Sequence, residues 1–158
     1  MNKKFSVIIN GKIKKFNKTI KIIIPYQDID EVSLSGSGDV TTNTTIKSRN
    51  FKSKISGSGD ITLDVEASDI EATVTGSGDL TLTGVTNLLD VTVTGSGDFH
   101  GARLEANHTK AKVTGSGDIE VIAKKELDAK VTGSGDIEYK GHPEKVNKKV
   151  TGSGDISN

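Results

Sequence analysis

The sequence predicts an all-β fold: a single-stranded parallel β-helix, or β-solenoid, of about seven coils with 18–21 residues each. The tetrapeptide Gly-Ser-Gly-Asp occurs seven times, and consecutive copies begin 21, 19, 19, 20, 18 and 19 residues apart. Apolar and polar residues alternate on both sides of each copy, as in Thr92-Val93-Thr94, which is typical of half-buried strands. A propeller blade would need about 40 residues per repeat, and the period of helical repeats is absent. The tetrads begin at Gly36, Gly57, Gly76, Gly95, Gly115, Gly133 and Gly152.

We expect a single domain over residues 1–158, with an N-terminal β cap at 1–30 and repeat coils at 31–158. Each coil should contain about three short strands, and the crossover rule favours a right-handed winding. The repeats differ in length mainly after each tetrad. Segments such as 83–87 and 103–108 should therefore form the irregular side of the coils.

The cap is predicted as a β-hairpin followed by a third strand. Phe5–Ile9 and Lys12–Phe16 flank Asn10-Gly11, a pair that suits a type I′ turn because both residues tolerate positive φ. Thr19–Ile24 is rich in β-branched residues and is ended by Pro25. This hairpin cap should cover the first coil.

Four positions relative to each tetrad carry the predicted core. The position two residues before the first glycine and the position directly after the aspartate are apolar in every copy, as Val93 and Phe99 illustrate. The position six residues before the glycine is apolar except for Asp30 and Thr109. The position two residues beyond the post-aspartate residue is occupied in four copies by Leu63, Leu82, Val121 and Tyr139.

The composition excludes several classes of function. Lys and Arg number 21 and Asp and Glu number 21, so no charge bias favours nucleic acid or membrane. The absence of Cys excludes disulfides, thiol catalysis and Cys-ligated zinc. No run is long enough for a transmembrane helix, and Asn10 interrupts the apolar run Val7-Ile8-Ile9, so no secretory signal is recognised. We therefore predict no membrane insertion and no nucleic-acid partner.

The tetrad is interpreted first as a corner. Both glycines can adopt positive φ, and the aspartate can accept hydrogen bonds from nearby backbone amides in an Asx-type turn. Stacked coils would place the seven aspartates in one column, where neighbouring carboxylates about 4.8 Å apart repel by about 0.9 kcal/mol even in water. The column comprises Asp39, Asp60, Asp79, Asp98, Asp118, Asp136 and Asp155.

Lysines three residues before the corner offer a way to offset this repulsion. They are Lys54, Lys112, Lys130 and Lys149, and Thr73 and Thr92 replace them in the third and fourth copies. If any cation binds, Asp79 and Asp98 are the place to look. Calcium fits poorly, because each coil supplies one carboxylate whereas calcium takes 6–8 oxygens.

An enzyme is the second alternative, and ice binding is the third. Parallel β-helix lyases and hydrolases need acidic residues near a base or an Arg, but Arg49 and Arg103 lie nearly three periods apart. The histidines His100, His108 and His142 show no metal-ligand spacing and no evident Asp partner, so each is expected to be a surface residue. Thr73/Thr75 and Thr92/Thr94 resemble an ice-binding ladder, but lysines replace threonine at the same position of later coils. These are Lys112, Lys130 and Lys149. We predict no catalytic, cofactor or metal residues.

The tandem Val-Thr-Gly-Ser-Gly-Asp-Ile units resemble the bacterial "putative auto-transporter adhesin, head GIN domain" family. The resemblance runs from about Lys21 to Asn158 and includes Lys21–Pro25 leading into Val32–Asp39, and Tyr139–Val146 before the last tetrad. It implies a parallel β-helix, location in the cell envelope or outside the cell, and an adhesion or binding role without catalytic residues. Members usually carry a leader and a further N-terminal β region, whereas residues 1–35 alone precede the first corner in this sequence.

These observations together predict a non-enzymatic, rigid β-solenoid that acts as an adhesin-like binding scaffold of the cell envelope or surface. Its expected partner is a glycan or a cell-envelope protein, and no cofactor is expected. The alternatives are a calcium-dependent β-helix binding module and a carbohydrate-active β-helix enzyme.

Overall fold

The computed structural model of the protein describes residues 21–158. Within them, ten strands form one parallel sheet in which the seven tetrads stack in register, from Gly36 beside Gly57 to Gly133 beside Gly152. No described residue is helical. The predicted all-β parallel solenoid of about seven coils is thereby confirmed. The strands are β1 Glu31–Gly36, β2 Val40–Thr41, β3 Ile46–Gly57, β4 Ile61–Gly76, β5 Leu80–Gly95, β6 Phe99–Gly115, β7 Ile119–Gly133, β8 Ile137–Lys140, β9 Lys145–Gly152 and β10 Ile156–Ser157.

Each central coil is one long strand, where three short ones were expected. β4, β5 and β6 contain 16, 16 and 17 residues, and each runs from the residue after one tetrad to the first glycine of the next. Each of these strands pairs in parallel with the strands of the neighbouring coils over most of its length. The tetrad is therefore the main interruption of the ladder, and the expectation of three strands was wrong.

Each coil also bends a second time, about halfway along the chain between two tetrads. In β4, Ile61, Leu63 and Val65 are buried, and the alternation then shifts by one residue so that Ile70 is buried next. Ser68, between these two runs, has no ladder partner, and the pairing skips the equivalent residue of the neighbouring coils. We call this region, residues 48–50, 67–69, 86–88 and 106–108, the second bend. The turn is made at this unpaired residue, and because both neighbouring strands skip the same position, the register of the ladder is kept.

The pairing is least regular between 100 and 108, as predicted for 103–108, but the prediction of an irregular side at 83–87 was wrong, since residues 83–86 pair in register with β4. The register between β5 and β6 shifts after Thr81, and that between β6 and β7 shifts after His100 and again after Ala106. The additional residues of this coil follow the tetrad, where the length variation had been expected.

The core is a stack of inward side chains from every coil. The predicted inward residues Val93 and Phe99 are fully buried, and Thr109 replaces an apolar residue with its hydroxyl donating to the Ile122 carbonyl at 3.3 Å. A fifth inward position, four residues before the first glycine, was missed. It is buried in five coils and mostly small, with Ser53, Ala72, Val91, Ala111 and Ala129.

The two ends of the described solenoid differ from its middle. Residues 21–24 form no strand, so the predicted strand is wrong over this part, and Ile23 is 80% exposed because no neighbouring strand pairs with it. The predicted hairpin at 5–16 lies outside the described residues. At the other end, the Nζ atom of Lys148 lies 4.6 Å from the centre of the Tyr139 ring, and Val150 is 42% exposed.

Candidate functional site

The tetrad corner is held by hydrogen bonds that run from coil to coil. The first glycine's carbonyl accepts two amides of the next coil: Gly57 accepts those of Ser77 at 2.9 Å and Gly78 at 3.1 Å. In the opposite direction, the residue after each aspartate donates to the next aspartate's carbonyl, as Ile61 does to Asp79 at 3.0 Å. The corner therefore leaves few backbone donors without a partner.

Both glycines of a tetrad are needed because the coils approach closely. The first has φ between +116° and +134° in all seven copies, a conformation that side chains rarely adopt. The second is buried in the middle coils, and a Cβ atom on Gly97 would lie 2.2 Å from the Gly78 carbonyl oxygen. Gly38 of the first copy has no such neighbour within 4 Å.

The aspartate column is a hydrogen-bonded ladder between coils. Oδ1 of one aspartate accepts the backbone amide of the next, at 2.7–3.0 Å, in five consecutive steps from Asp60 to Asp155. The expected hydrogen bonding to amides is thus present, but it joins coils where a local Asx-type turn had been expected. Each amide also stabilises the negative charge of the carboxylate that it contacts.

The proposed lysine compensation is wrong. None of the four lysines three residues before the corner has its Nζ within 4.0 Å of a tetrad carboxylate in the described part of the chain. The reason is geometric, because these lysines lie on the strand before the corner and the carboxylates lie beyond it. They are Lys54, Lys112, Lys130 and Lys149.

One step of the ladder carries a histidine. Ligand atoms of Asp79, Asp98 and His100 all lie within 4.8 Å of one another, and all three residues are half-buried. Nδ1 of His100 also lies 3.7 Å from Oε2 of Glu120. The period correctly brought Asp79 next to Asp98, but the expectation that His100 lacks an Asp partner was wrong.

A small open cavity borders the same histidine. It measures about 200 Å³ and is lined by Thr81, Leu82, Thr83, His100, Ala102, Arg103 and Glu120. It brings one acid, one base and one arginine together, although the two arginines of the sequence had suggested that no such group would form. The signal that was missed is that Arg103 lies three residues from His100 and one coil from Glu120.

A second, wider groove follows the second bend over several coils. It measures about 760 Å³, and Lys47, Arg49 and Glu66 line one end while Val85, Asn87 and Asn107 line the other. Nζ of Lys47 lies 2.9 Å from Oε2 of Glu66, and Nδ2 of Asn107 donates to Oδ1 of Asn87 at 3.1 Å. We call this surface the second-bend groove. The charged, amide and exposed apolar residues that line this groove differ from coil to coil, unlike the residues of the tetrads.

Ion pairs between neighbouring coils shift the pKa values of two glutamates. A hydrogen bond from Lys52 at 2.5 Å is the main reason that the pKa of Glu71 lies below its ordinary value. The pKa of Glu126 is lowered mainly by Lys145 and further by His108, whose Nδ1 lies 3.5 Å from Oε2 of Glu126. The structure gives the calcium alternative no support, because one oxygen of each ladder carboxylate is already used and six or more are needed.

Comparison with known proteins agrees with the fold and names a family. The model of the family described as "Putative auto-transporter adhesin, head GIN domain" matches residues 6–143. No curated protein matches the chain. The family match covers all but the last coil and includes the second-bend groove and the aspartate ladder as far as Asp136.

Solved structures of bacterial proteins share the fold. A crystal structure of a putative adhesin from Bacteroides fragilis has a TM-score of 0.77 and 29% identity, over 82% of this chain and 60% of its own. A putative lipid binding protein from Parabacteroides distasonis has a TM-score of 0.78 and 31% identity, over 80% and 52%. A putative adhesin from the same species has a TM-score of 0.76 and 32% identity, over 81% and 55%. The chain thus spans little more than half the length of these structures. These relatives are described as adhesins or binding proteins, and none is described as an enzyme.

Proposed function

The chain belongs to the family described as "Putative auto-transporter adhesin, head GIN domain", and on that premise we propose that it is a non-enzymatic, adhesin-like binding scaffold of the cell surface. The descriptions of its structural relatives support both the binding role and the location. Among the described residues, no helix has the length and apolar character needed to cross a membrane.

The observation that carries the proposal is the second-bend groove. In a solenoid, the regular positions build the stack, so a run of exposed residues that departs from the repeat is free to serve recognition. Arg49, Asn87 and Asn107 present hydrogen-bond donors and acceptors beside Val85, which is 47% exposed. This mixture suits a glycan, whose hydroxyl groups need polar partners and whose ring faces need apolar contact, or a polar segment of an envelope protein.

A glycan array and a pull-down from envelope extracts test the proposal. We expect the native chain to retain a defined ligand and the double variant R49A/N107A to lose at least ten-fold in affinity. The matched control K112A/K130A removes two exposed charges from strands outside the groove and should bind as the native chain does. Equal loss in both variants, or no ligand in either assay, would contradict the proposal.

Lipid is a partner chemistry that the description of one relative suggests. The inward side chains of the described solenoid fill its interior and are almost fully buried. A lipid would therefore have to bind on the outer surface. Sedimentation with vesicles of neutral and of anionic phospholipids separates this case, because a groove specific for glycans leaves the protein in the supernatant.

A carbohydrate-active enzyme is a second candidate, and the cavity lined by His100, Arg103 and Glu120 is the observation that favours it. A lyase needs such a base near an arginine. The cavity volume of about 200 Å³ is nevertheless below the range of about 300–1,000 Å³ of most ligand pockets. We expect no release of unsaturated or reducing sugars from bacterial polysaccharides, and release that H100Q abolishes would favour the enzyme.

A further inference from the structure

We propose that Asp79, Asp98 and His100 form a binding site for a divalent transition-metal ion of the zinc class. The ligand atoms of the three side chains already lie within 4.8 Å of one another. Around one Zn²⁺ ion with bonds of about 2.0–2.2 Å, ligand atoms lie about 3.5 Å apart. Side-chain rotations that move the ligand atoms by roughly 1 Å would therefore bring all three within bonding distance of one ion.

The ladder holds the two carboxylates in place and leaves each one an oxygen for the metal. Oδ1 of Asp79 accepts the amide of Asp98 at 3.0 Å, and Oδ1 of Asp98 accepts the amide of Asp118 at 2.8 Å. In the described part of the chain, Oδ2 of neither residue accepts a protein hydrogen bond. Backbone hydrogen bonds to a ligating carboxylate are the usual means of orienting it.

The surroundings of His100 match those of a metal ligand. Its Nδ1 lies 3.7 Å from Oε2 of Glu120, and in the proposed site the ion takes the other ring nitrogen, Nε2. Histidines that bind metals usually give their other ring N–H to a carboxylate, which fixes the tautomer. A small rotation of either side chain brings the Glu120 contact to hydrogen-bond distance.

The arrangement occurs once along the described solenoid, although the aspartate ladder repeats. The residue two positions after each tetrad aspartate points outward next to the column. Only the fourth copy has a histidine there, so only one ladder step gains a nitrogen ligand. The seven residues of this position are Thr41, Thr62, Thr81, His100, Glu120, Glu138 and Ser157.

The ligand chemistry selects the class of ion. Imidazole together with carboxylate suits Zn²⁺, Ni²⁺ and Cu²⁺, whereas Ca²⁺ and Mg²⁺ are bound by oxygen alone. Three negative side chains, Asp79, Asp98 and Glu120, surround the imidazole, and Arg103 is the one cationic side chain lining the adjoining cavity. The local charge therefore favours a divalent cation.

Titration of the tag-free chain with Zn²⁺ by calorimetry, and with Co²⁺ by visible absorption, tests the site. We expect one saturable site and a Co²⁺ spectrum of a low-symmetry complex with nitrogen and oxygen ligands. H100Q should weaken binding at least ten-fold, and D98N should do the same while its Oδ1 still accepts the Asp118 amide. H108Q is the matched control, since His108 also lies beside a glutamate and is equally exposed.

The outcomes separate the site from adventitious binding. The site is supported if H100Q and D98N bind Zn²⁺ more weakly while H108Q keeps the native affinity. A smaller loss of Zn²⁺ affinity in E120Q also supports it. Absence of saturable Zn²⁺ binding overturns it, and so does equal weakening in H100Q and H108Q. Tighter binding of Ca²⁺ than of Zn²⁺ also overturns it. Thermal unfolding in metal-free buffer identifies any variant that fails to fold, and D79N then replaces D98N.

Discussion

Three of the four tetrad residues meet different physical requirements at the corner. The first glycine supplies a positive φ, and the second removes the Cβ atom that would strike the coil below. The aspartate accepts the next coil's amide, while the serine side chains face solvent. The motif is therefore fixed by backbone conformation, close approach and hydrogen bonding at three separate positions.

We expect Gly97→Ala to destabilise the protein strongly. Its Cβ would lie 2.2 Å from the Gly78 carbonyl oxygen, so the coils must separate locally, which costs about 1–3 kcal/mol or more. Gly38→Ala is the control, because the equivalent Cβ meets nothing within 4 Å. Urea unfolding followed by circular dichroism should give a lower midpoint for the first variant only. Similar midpoints for both would show that close approach does not select the second glycine.

We also expect Asp118→Ala to lower stability by about 0.5–1.5 kcal/mol, the usual net contribution of one intramolecular hydrogen bond, because the amide at this exposed corner can bond to water instead. The amide of Asp136 donates to Oδ1 of Asp118 at 2.7 Å, and Asp118→Asn retains an oxygen there. Thermal unfolding should rank the native chain first, then the Asn variant, then the Ala variant. Asp155→Ala should change little, because no later described aspartate donates to it. An Ala variant as stable as the native chain would remove the ladder from the stabilising contacts.

The sequence predicts burial correctly at positions that are apolar in every repeat, and it misses buried positions with small side chains. Val93 and Phe99 stand at the most regular apolar positions and are fully buried, as expected. Ala72 and Ser53 are equally buried but were missed, because small side chains contribute little to a hydrophobic pattern. His100 was missed as a neighbour of Asp79 because their proximity depends on how the corner orients the two side chains, which the spacing in the sequence does not show.

At the scale of the strands, ion pairs connect the outer faces of adjacent coils. Lys52 of β3 pairs with Glu71 of β4 at 2.5 Å, and Lys110 of β6 pairs with Asp90 of β5 at 3.3 Å. Both pairs lie at the same position of the repeat, directly opposite across parallel strands. Opposite charges at such positions favour the observed register over a shifted one.

The pH dependence of Glu71→Gln tests this pairing. The pKa of Glu71 is lowered by Lys52, so its contribution to stability is present above its ordinary pKa of 4.5 and is lost as the pH falls through the folded value. The pKa of Lys52 is raised, so the pair also loses its contribution when the pH rises above about 10.5. The melting temperatures of the native chain and the variant should therefore differ near neutral pH and converge in acid.

Glu144→Gln provides the control for that experiment, since Glu144 is exposed and forms no ion pair among the described residues. Its melting temperature should follow that of the native chain at every pH. A difference between native chain and Glu71→Gln that stays constant down to acid pH would mean that the ion pair does not stabilise the fold.

The strand boundaries were less predictable than the repeat. The alternation of polar and apolar residues correctly identified extended chain on both sides of the tetrad. The second bend was not foreseen, because the turn at Ser68 is made by a single unpaired residue without glycine or proline. A single unpaired residue leaves only a one-residue change of phase in the alternation, which is a weak signal in the sequence.

For the molecule as a whole, nearly all contacts between strands join neighbouring coils. The strongest packing joins β4 with β5, β5 with β6 and β6 with β7, in chain order. Stability is then a sum of similar interfaces, as in other repeat proteins. The fold should tolerate the loss of one complete unit better than the loss of part of one.

Deletion of residues 77–95 removes one complete coil and joins Gly76 to Ser96, so that one first glycine replaces another. We expect a folded solenoid with a lower melting temperature and a β-sheet circular dichroism spectrum. Deletion of residues 77–86 removes half a coil and places the inward residues out of phase, so it should unfold. If both deletions give equally stable proteins, the phase of the repeat does not determine the fold.

The equality of the corner bonds in successive coils also sets a unit of length. Each coil advances the stack by about 4.8 Å, whatever surface groups it carries. A tandem duplication of one repeat would therefore move everything beyond it outward by that fixed increment, without a new side-chain contact having to evolve. Loss of a repeat would retract it by the same amount. The length of the solenoid thus changes in whole steps, independently of the residues that line the second-bend groove.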